Sequence, residues 1–368
     1  MKIICNKTTL NEAVISVSKA VSSHSSLPVL EGIYISASTD GVVTLISNDM
    51  EMGIEAKISG EVERGGSTVL NAKILGSIVK NLPLEEVFIE LDEKNICTIK
   101  SGNSKFEISG MNSIDFPDLP VVNPDYSVKI PKKTLKEMIS KTIFCTSISD
   151  NRPILKGCLF DIEGGTVRMV STDGFRLAVR TYHLEEDNGE RKFVVPAKAL
   201  GEINKILKDD EEFVEVNCTS KNAVFIFENY RVVTRLIEGD YINYKSALYD
   251  EGEIELECPL YELFDSVYRA SLIITENAND APVKFKIEDD NINVSCETIV
   301  GKVDDNIAVT TGSAQLEIGF FNEFLLGVLR ACDDEKVKIK FKKNINPMII
   351  TPLDGDEYVY LLLPRRLK

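Results

Sequence analysis

The feature that most constrains this chain is an internal repetition at a spacing of about 125 residues. Val69-Leu70-Asn71-Ala72-Lys73-Ile74-Leu75-Gly76-Ser77-Ile78 reads against Val194-Val195-Pro196-Ala197-Lys198-Ala199-Leu200-Gly201-Glu202-Ile203; both carry Ala-Lys-x-Leu-Gly-x-Ile. Leu27-Pro28-Val29-Leu30-Glu31-Gly32 has a counterpart in Arg152-Pro153-Ile154-Leu155-Lys156-Gly157. Ser47-Asn48-Asp49 matches Ser171-Thr172-Asp173, and Asp115-Phe116 falls opposite Asp240-Tyr241. A fainter third copy keeps the same order: Pro282-Val283-Lys284-Phe285, an amphipathic run over 320–331 and a closing strand over 358–363. The period is too long for a solenoid unit and suits a whole domain. Three domains are expected, 1–124, 125–250 and 251–368, divided at the turn-like stretches Asn123-Pro124-Asp125 and Asp250-Glu251-Gly252.

Each copy follows one local grammar. Apolar residues at helical spacing open it: Leu10, Val14, Val17 and Val21; Leu135, Met138, Ile139 and Ile143; Leu260, Leu263, Phe264 and Val267. Alternation then marks strands over 42–46, 87–91, 166–170, 223–227 and 292–295. The reading is an α+β fold of three repeated domains, each with two helices packed on antiparallel sheets.

Charge is distributed unevenly. Asp and Glu number 58 against 42 Lys and Arg, a net charge of −16, which taken whole argues against a nucleic-acid binder. The predicted helices differ from the rest. Lys73 and Lys80 share one with no acid, Lys132, Lys133, Lys136 and Lys141 stand against Glu137, and Lys198, Lys205 and Lys208 stand against Glu202. In the third copy Arg269 and Arg330 are offset by Glu262, Asp265 and Glu323. A lysine on a helix is more often a solvated face than a ligand. Its repetition in an acidic chain favours a surface that attracts phosphate on one side and repels it elsewhere.

Catalysis and metals find little support. The eight cysteines are scattered without a CxxC, and His24 and His183 are the two histidines, so zinc spacing is absent and the thiols read as small buried hydrophobes. No phosphate loop, dinucleotide fingerprint or nucleophile elbow occurs; Gly65-Gly66, Gly164-Gly165, Asp289-Asp290 and Asp304-Asp305 read as turns. No catalytic residue, metal or cofactor is assigned. No apolar run is long enough to span a bilayer, and the opening Met1-Lys2-Ile3-Ile4-Cys5-Asn6 lacks a signal-peptide core, so a cytoplasmic protein without membrane contact is expected.

Ser171-Thr172-Asp173-Gly174-Phe175-Arg176-Leu177-Ala178 makes the reading specific. With Met1-Lys2-Ile3, Leu27-Pro28-Val29-Leu30, Asp115-Phe116-Pro117 and Leu363-Pro364-Arg365-Arg366-Leu367, in order along the whole chain, it resembles the β subunit of bacterial DNA polymerase III, the sliding clamps. That resemblance implies the DNA clamp fold in a head-to-tail homodimeric ring, its helices lining a hole around duplex DNA. Phosphate contacts there carry no sequence information. His24, Lys73, Arg152 and Lys198 match family positions facing DNA, and the basic helix residues Lys132, Lys136, Lys141 and Lys205 fall on the same side.

The resemblance also implies a cleft between the second and third domains for short linear motifs of clamp loader, replicative polymerase and repair proteins. Its matching positions are Leu155, Thr172, Gly174, Phe175, Arg176, Leu177, Ile242, Ala247, Phe324, Ile345, Pro347, Leu361, Leu362, Leu363, Pro364 and Arg366. The sequence departs from the family at Ile242-Asn243-Tyr244, usually Pro-Asp-Tyr, and at Ser246, often basic. Phe106, Ile108, Leu272 and Ile273 match the apolar dimer contact, with Lys73 and Lys105 set to face Glu297, Asp304 or Asp305. The competing readings are a DNA-free peptide-docking adaptor and a divergent clamp paralogue.

Overall fold

The computed structural model describes residues 1–187, 189–248, 253–275, 281–310 and 314–367. The expected boundary at Asp250-Glu251-Gly252 lies outside the described residues. Among those described there are seven α-helices: α1 (Lys7–Val17), α2 (Ala72–Lys80), α3 (Lys132–Ser140), α4 (Ala197–Ile206), α5 (Lys245–Leu248), α6 (Leu260–Ser271) and α7 (Asn322–Ala331). α5 is a single turn; the other six give two helices to each repeat.

Two of these helices begin where asparagine offers an acceptor. Asn6 Oδ1 takes the Thr9 N–H at 3.1 Å and Asn71 Oδ1 takes the Ile74 N–H at 3.1 Å. The repeat is also written in backbone hydrogen bonds. The first residues of α1, α3 and α6 (Lys7, Lys132 and Leu260) donate their N–H to the carbonyls of Glu85, Glu212 and Glu335 at 2.7, 2.7 and 2.9 Å. The third copy, faint in sequence, is thus plain in geometry.

Compactness divides the chain into two units, residues 1–133 with 205–236 and residues 134–204 with 237–368. The first unit holds a five-stranded antiparallel sheet, ordered Glu61–Arg64, Lys2–Asn6, Glu86–Leu91, Ile96–Ser101, Ser104–Ser109. It also holds an eight-stranded sheet in which Tyr230–Arg235 of the middle repeat pairs with Met52–Ser59 of the first. Strand Glu86–Leu91 shows why such strands form: Val87, Ile89 and Leu91 are buried while Glu86, Phe88 and Glu90 face out.

The second unit repeats this plan. Its eight-stranded sheet runs Arg191–Pro196, Gly157–Glu163, Thr166–Thr172, Arg176–His183, Tyr358–Leu362, Met348–Thr351, Lys336–Phe341, Ile254–Pro259, all neighbours antiparallel. A four-stranded sheet ends in strand Lys302–Ala308. α6 and α7 cover a core that includes Phe285, Phe320, Phe341, Leu263 and Leu325. Among the described residues no helix is long and apolar enough to cross a membrane.

Candidate functional site

The cleft positions gather in the second unit, around a turn built by its own polar residues. Asp173 Oδ1 accepts the N–H groups of Phe175 at 2.9 Å and Arg176 at 3.0 Å. Thr172 is buried; its hydroxyl accepts the Gly174 N–H at 3.0 Å and donates to the Arg176 carbonyl at 2.7 Å. Gly174 has φ of +92°, a conformation other residues rarely adopt. Thr172 and Gly174 therefore shape the turn.

Arg176 is held on every side. Its Nε donates to Asp173 Oδ2 at 2.9 Å and a terminal nitrogen to the Phe144 carbonyl at 2.7 Å. The guanidinium carbon sits 4.4 Å from the Phe324 ring centre and 5.3 Å from that of Phe144. The cation thus fixes Phe324, whose ring centre lies 6.1 Å from that of Phe175, and Phe175 is 60% exposed.

Strand pairing sorts the leucines. Leu177 lies opposite Leu361 and Arg176 opposite Leu362, while the Leu363 N–H reaches the Phe175 carbonyl at 2.8 Å. Leu177 and Leu361 share a small apolar cluster with Leu159, Val170, Tyr244 and Ile349, against which Ala247 packs. Leu362 corrects the sequence reading. Alternation turns it to the opposite face, where it is 1% exposed in the core with Phe285 and Phe320. Leu155 is buried, and Pro347 and Pro364 are half-buried. Ile242, Ile345, Leu363 and Arg366 are exposed. The result is an apolar floor with exposed anchors, suited to an extended segment.

The basic positions divide into two kinds. Lys73 and Lys198 are the second residues of α2 and α4, and both are exposed. The second residue of α7 is Glu323, also exposed. His24, Arg152 and Lys205 are exposed and Lys136 is half-buried.

Lys132 does not face solvent. It is fully buried, its Nζ 2.7 Å from Glu212, 2.8 Å from Glu228 and 3.1 Å from Asp210. As the first residue of α3, tied through its own N–H to Glu212, it is turned into the acidic segment that closes the repeat. Enclosure by itself lowers its pKa, and the three carboxylates overcome that and hold it above the ordinary lysine value. The carboxylate oxygens of Asp210, Glu212 and Glu228 lie within 4.8 Å of one another, a grouping able to hold a cation. Here the cation is the lysine ammonium.

Lys141 is likewise matched. Its Nζ is 2.7 Å from Asp333 Oδ1 and 3.4 Å from the Arg330 carbonyl, so it braces two chain segments. Asp333 also receives Arg180. Burial raises the carboxyl pKa of Asp333, and these two cations outweigh that and hold it below the usual range.

The positions matched to a dimer contact sit at edges. Phe106 is 38% exposed and Ile108 half-buried, on the edge strand Ser104–Ser109. Leu272 is 66% exposed and Ile273 half-buried, just past α6. Sequence reasoning missed Ile299 and Val300, 86% and 61% exposed, although two branched residues at a hairpin tip were a visible signal. The Thr298 hydroxyl ties that hairpin to the Ile273 carbonyl at 3.0 Å. Lys105 pairs with Glu107, and Asp305 accepts from Arg269 Nε at 2.8 Å, so both charges find partners within the chain.

Repeated two-helix, antiparallel-sheet domains, with an apolar cluster and exposed anchors on the second unit, define the class of DNA-clamp folds. Models of the DNA polymerase III beta subunit N-terminal, central and C-terminal domains match residues 1–120, 129–243 and 245–366. The beta sliding clamp of Halalkalibacterium halodurans is 33% identical over the full length of both chains, and that of Bacillus subtilis 31%. A putative DNA polymerase III beta subunit from Eubacterium rectale, 35% identical, superposes with a TM-score of 0.96, covering all of both chains. The Bacillus subtilis sliding clamp structure gives 0.96 at 31% identity, again covering both chains fully. The chain belongs to the DNA polymerase III beta subunit family, and its function is that of a sliding clamp.

Proposed function

We propose that two copies of this chain close head to tail into a ring around duplex DNA and tether the replicative polymerase through the cleft. The observation that carries the DNA-facing part is the matched pair Lys73 and Lys198, exposed at the same position of successive repeats in a chain of net charge −16. His24, Arg152, Lys136 and Lys205 are the further basic positions assigned to DNA contact. Contacts of this kind hold phosphate without reading bases, so the ring slides while its closure prevents escape. Edge strand Ser104–Ser109 of one copy meets edge strand Lys302–Ala308 of the other, with Phe106, Ile108, Leu272 and Ile273 at the joint; pairing would cover both edges. The chain supplies no reaction of its own; polymerase, loader and repair chemistry belongs to the partners that dock.

The test is retention on nicked circular DNA after loading with a clamp loader and ATP, before and after the circle is cut. Release on linearisation is expected. Equal retention on both forms would replace encirclement with ordinary backbone binding.

A further inference from the structure

We infer that the peptide held by the cleft carries acidic residues at one end, beside its apolar anchors, matched to a basic ledge at one side of the cleft. The inference rests on the cleft reading given above. Lys342-Lys343-Asn344-Ile345-Asn346-Pro347 and Leu363-Pro364-Arg365-Arg366-Leu367 contain four cations and no acid, in a chain where acids outnumber bases 58 to 42. Strand register brings the two segments together. Met348 pairs with Leu362 in an antiparallel ladder, so the residues before Met348 run beside those after Leu362. On this ledge Lys343 and Arg366 are exposed, as are the apolar Ile345 and Leu363. Anchor and charge therefore come from the same short stretch of surface.

The ledge is fixed before any ligand arrives. The Leu363 N–H binds the Phe175 carbonyl at 2.8 Å and the Arg365 N–H binds the Gly319 carbonyl at 2.7 Å. The Arg365 guanidinium lies 5.7 Å from the Phe321 ring centre, and a Cβ added at Gly319 would sit 2.5 Å from the Leu367 side chain. A surface already ordered costs a ligand little further entropy.

The side of the sheet away from the ledge has the opposite character, for the Ile237 N–H binds the Val194 carbonyl on edge strand Arg191–Pro196, four strands from Tyr358–Leu362. Glu238 and Asp240 are exposed just before Ile242, Ser246 carries no charge, and the neighbouring Lys245 is paired with Glu163. At the turn between the two ends, Asp173 is matched by Arg176. A peptide acidic along the ledge is attracted at one end, and the same peptide reversed meets Glu238 and Asp240. The charge gradient sets direction as well as strength.

Two labelled peptides test this, sharing the same pair of apolar anchors and bearing either two aspartates or two lysines at one flank. Each is titrated against the full chain at low and high salt. The aspartate peptide is expected to bind about threefold to tenfold more tightly, the sum of two exposed ion pairs. Raised salt should erase most of that difference, and Lys343→Glu with Arg366→Glu should invert it. Equal affinity for both peptides, with Phe175→Asp still abolishing both, would overturn the acidic preference and leave the cleft standing. Failure of both peptides to bind the unsubstituted chain would overturn the cleft reading and this inference with it.

Discussion

Replacing Lys132 by methionine keeps most of the side-chain volume and removes the ammonium from among three carboxylates 2.7 to 3.1 Å away. Breaking a fully buried ion pair by deleting one partner costs about 3–5 kcal/mol. Water reaches the carboxylates here, with Asp210 38%, Glu212 70% and Glu228 22% exposed, and Lys208 still pairs with Glu228 at 3.2 Å. The cost is therefore about 2 kcal/mol at neutral pH, a fall of roughly 4–8 °C in the unfolding midpoint for a unit of this size.

The pH dependence has a definite sign. Burial raises the Asp210 and Glu228 carboxyls, but Lys132, joined at Glu228 by Lys208, outweighs it and holds both below their usual values. A depressed folded pKa stabilises above the unfolded value, near pH 4, and that contribution disappears as pH falls through the folded value. The deficit of Lys132→Met should thus be largest near neutral pH and shrink toward pH 4, as the freed carboxylates take up protons. Millimolar calcium should restore part of the midpoint in the variant and leave the unsubstituted chain unchanged, because the three acids then enclose a vacant cation position. Thermal melts at pH 7 and pH 4, with and without calcium, measure all three effects. A midpoint unchanged at pH 7, or a deficit equal at both pH values, would refute the reasoning.

Three further outcomes follow from the same geometry. Lys73→Glu with Lys198→Glu should shorten the lifetime of a loaded clamp on DNA and flatten its salt dependence, by roughly one in slope per lost phosphate contact; an unchanged lifetime would remove these lysines from the DNA face. Phe175→Asp should abolish peptide binding while the chain stays folded, since that ring is 60% exposed. Leu177→Asp should lower the melting midpoint as well, because Leu177 is 4% exposed in an apolar cluster. All eight cysteines are buried, and burial pushes Cys5 up to about 11 and Cys97, Cys158, Cys258 and Cys332 up to about 12. A thiol reagent at pH 8 should therefore label almost none in the native chain and all eight in denaturant; rapid native labelling would contradict that burial.

Much of the fold was legible because it rests on local signals. The Ala-Lys-x-Leu-Gly-x-Ile repeat fixed α2 and α4, and alternation fixed strands such as Glu86–Leu91. Side-chain destinations set by distant residues were not legible. Lys132 reads like Lys136 in sequence, yet its partners lie 78 to 96 residues away, and the tie from its N–H to the Glu212 carbonyl sets it beside them. Leu361, Leu362 and Leu363 look alike as a run. The strand's period of two sends the first to the apolar cluster with Leu177 and the second to the core, and leaves the third exposed.

The third repeat shows what its faintness in sequence means. Its backbone keeps the shared plan, down to the Leu260 N–H bound to Glu335, so sequence drift has not altered the fold. Its surface charge has changed. Where α2 and α4 present Lys73 and Lys198, α7 presents Glu323; Arg269 is matched by Asp305, and Arg330 lies 5.7 Å from the Phe264 ring centre. Glu262, Asp265 and Glu323 against Arg269 and Arg330 leave α6 and α7 with a net charge of −1, whereas α2, with Lys73 and Lys80, carries +2. Three equivalent scaffolds thus carry unequal electrostatic loads. In the proposed ring, phosphate attraction falls to the first two repeats, and the third supplies the proposed cleft with Phe324, Ile345 and the ledge of Lys343 and Arg366. A fold repeated three times allows that division, because a copy without these lysines leaves two that would still attract phosphate.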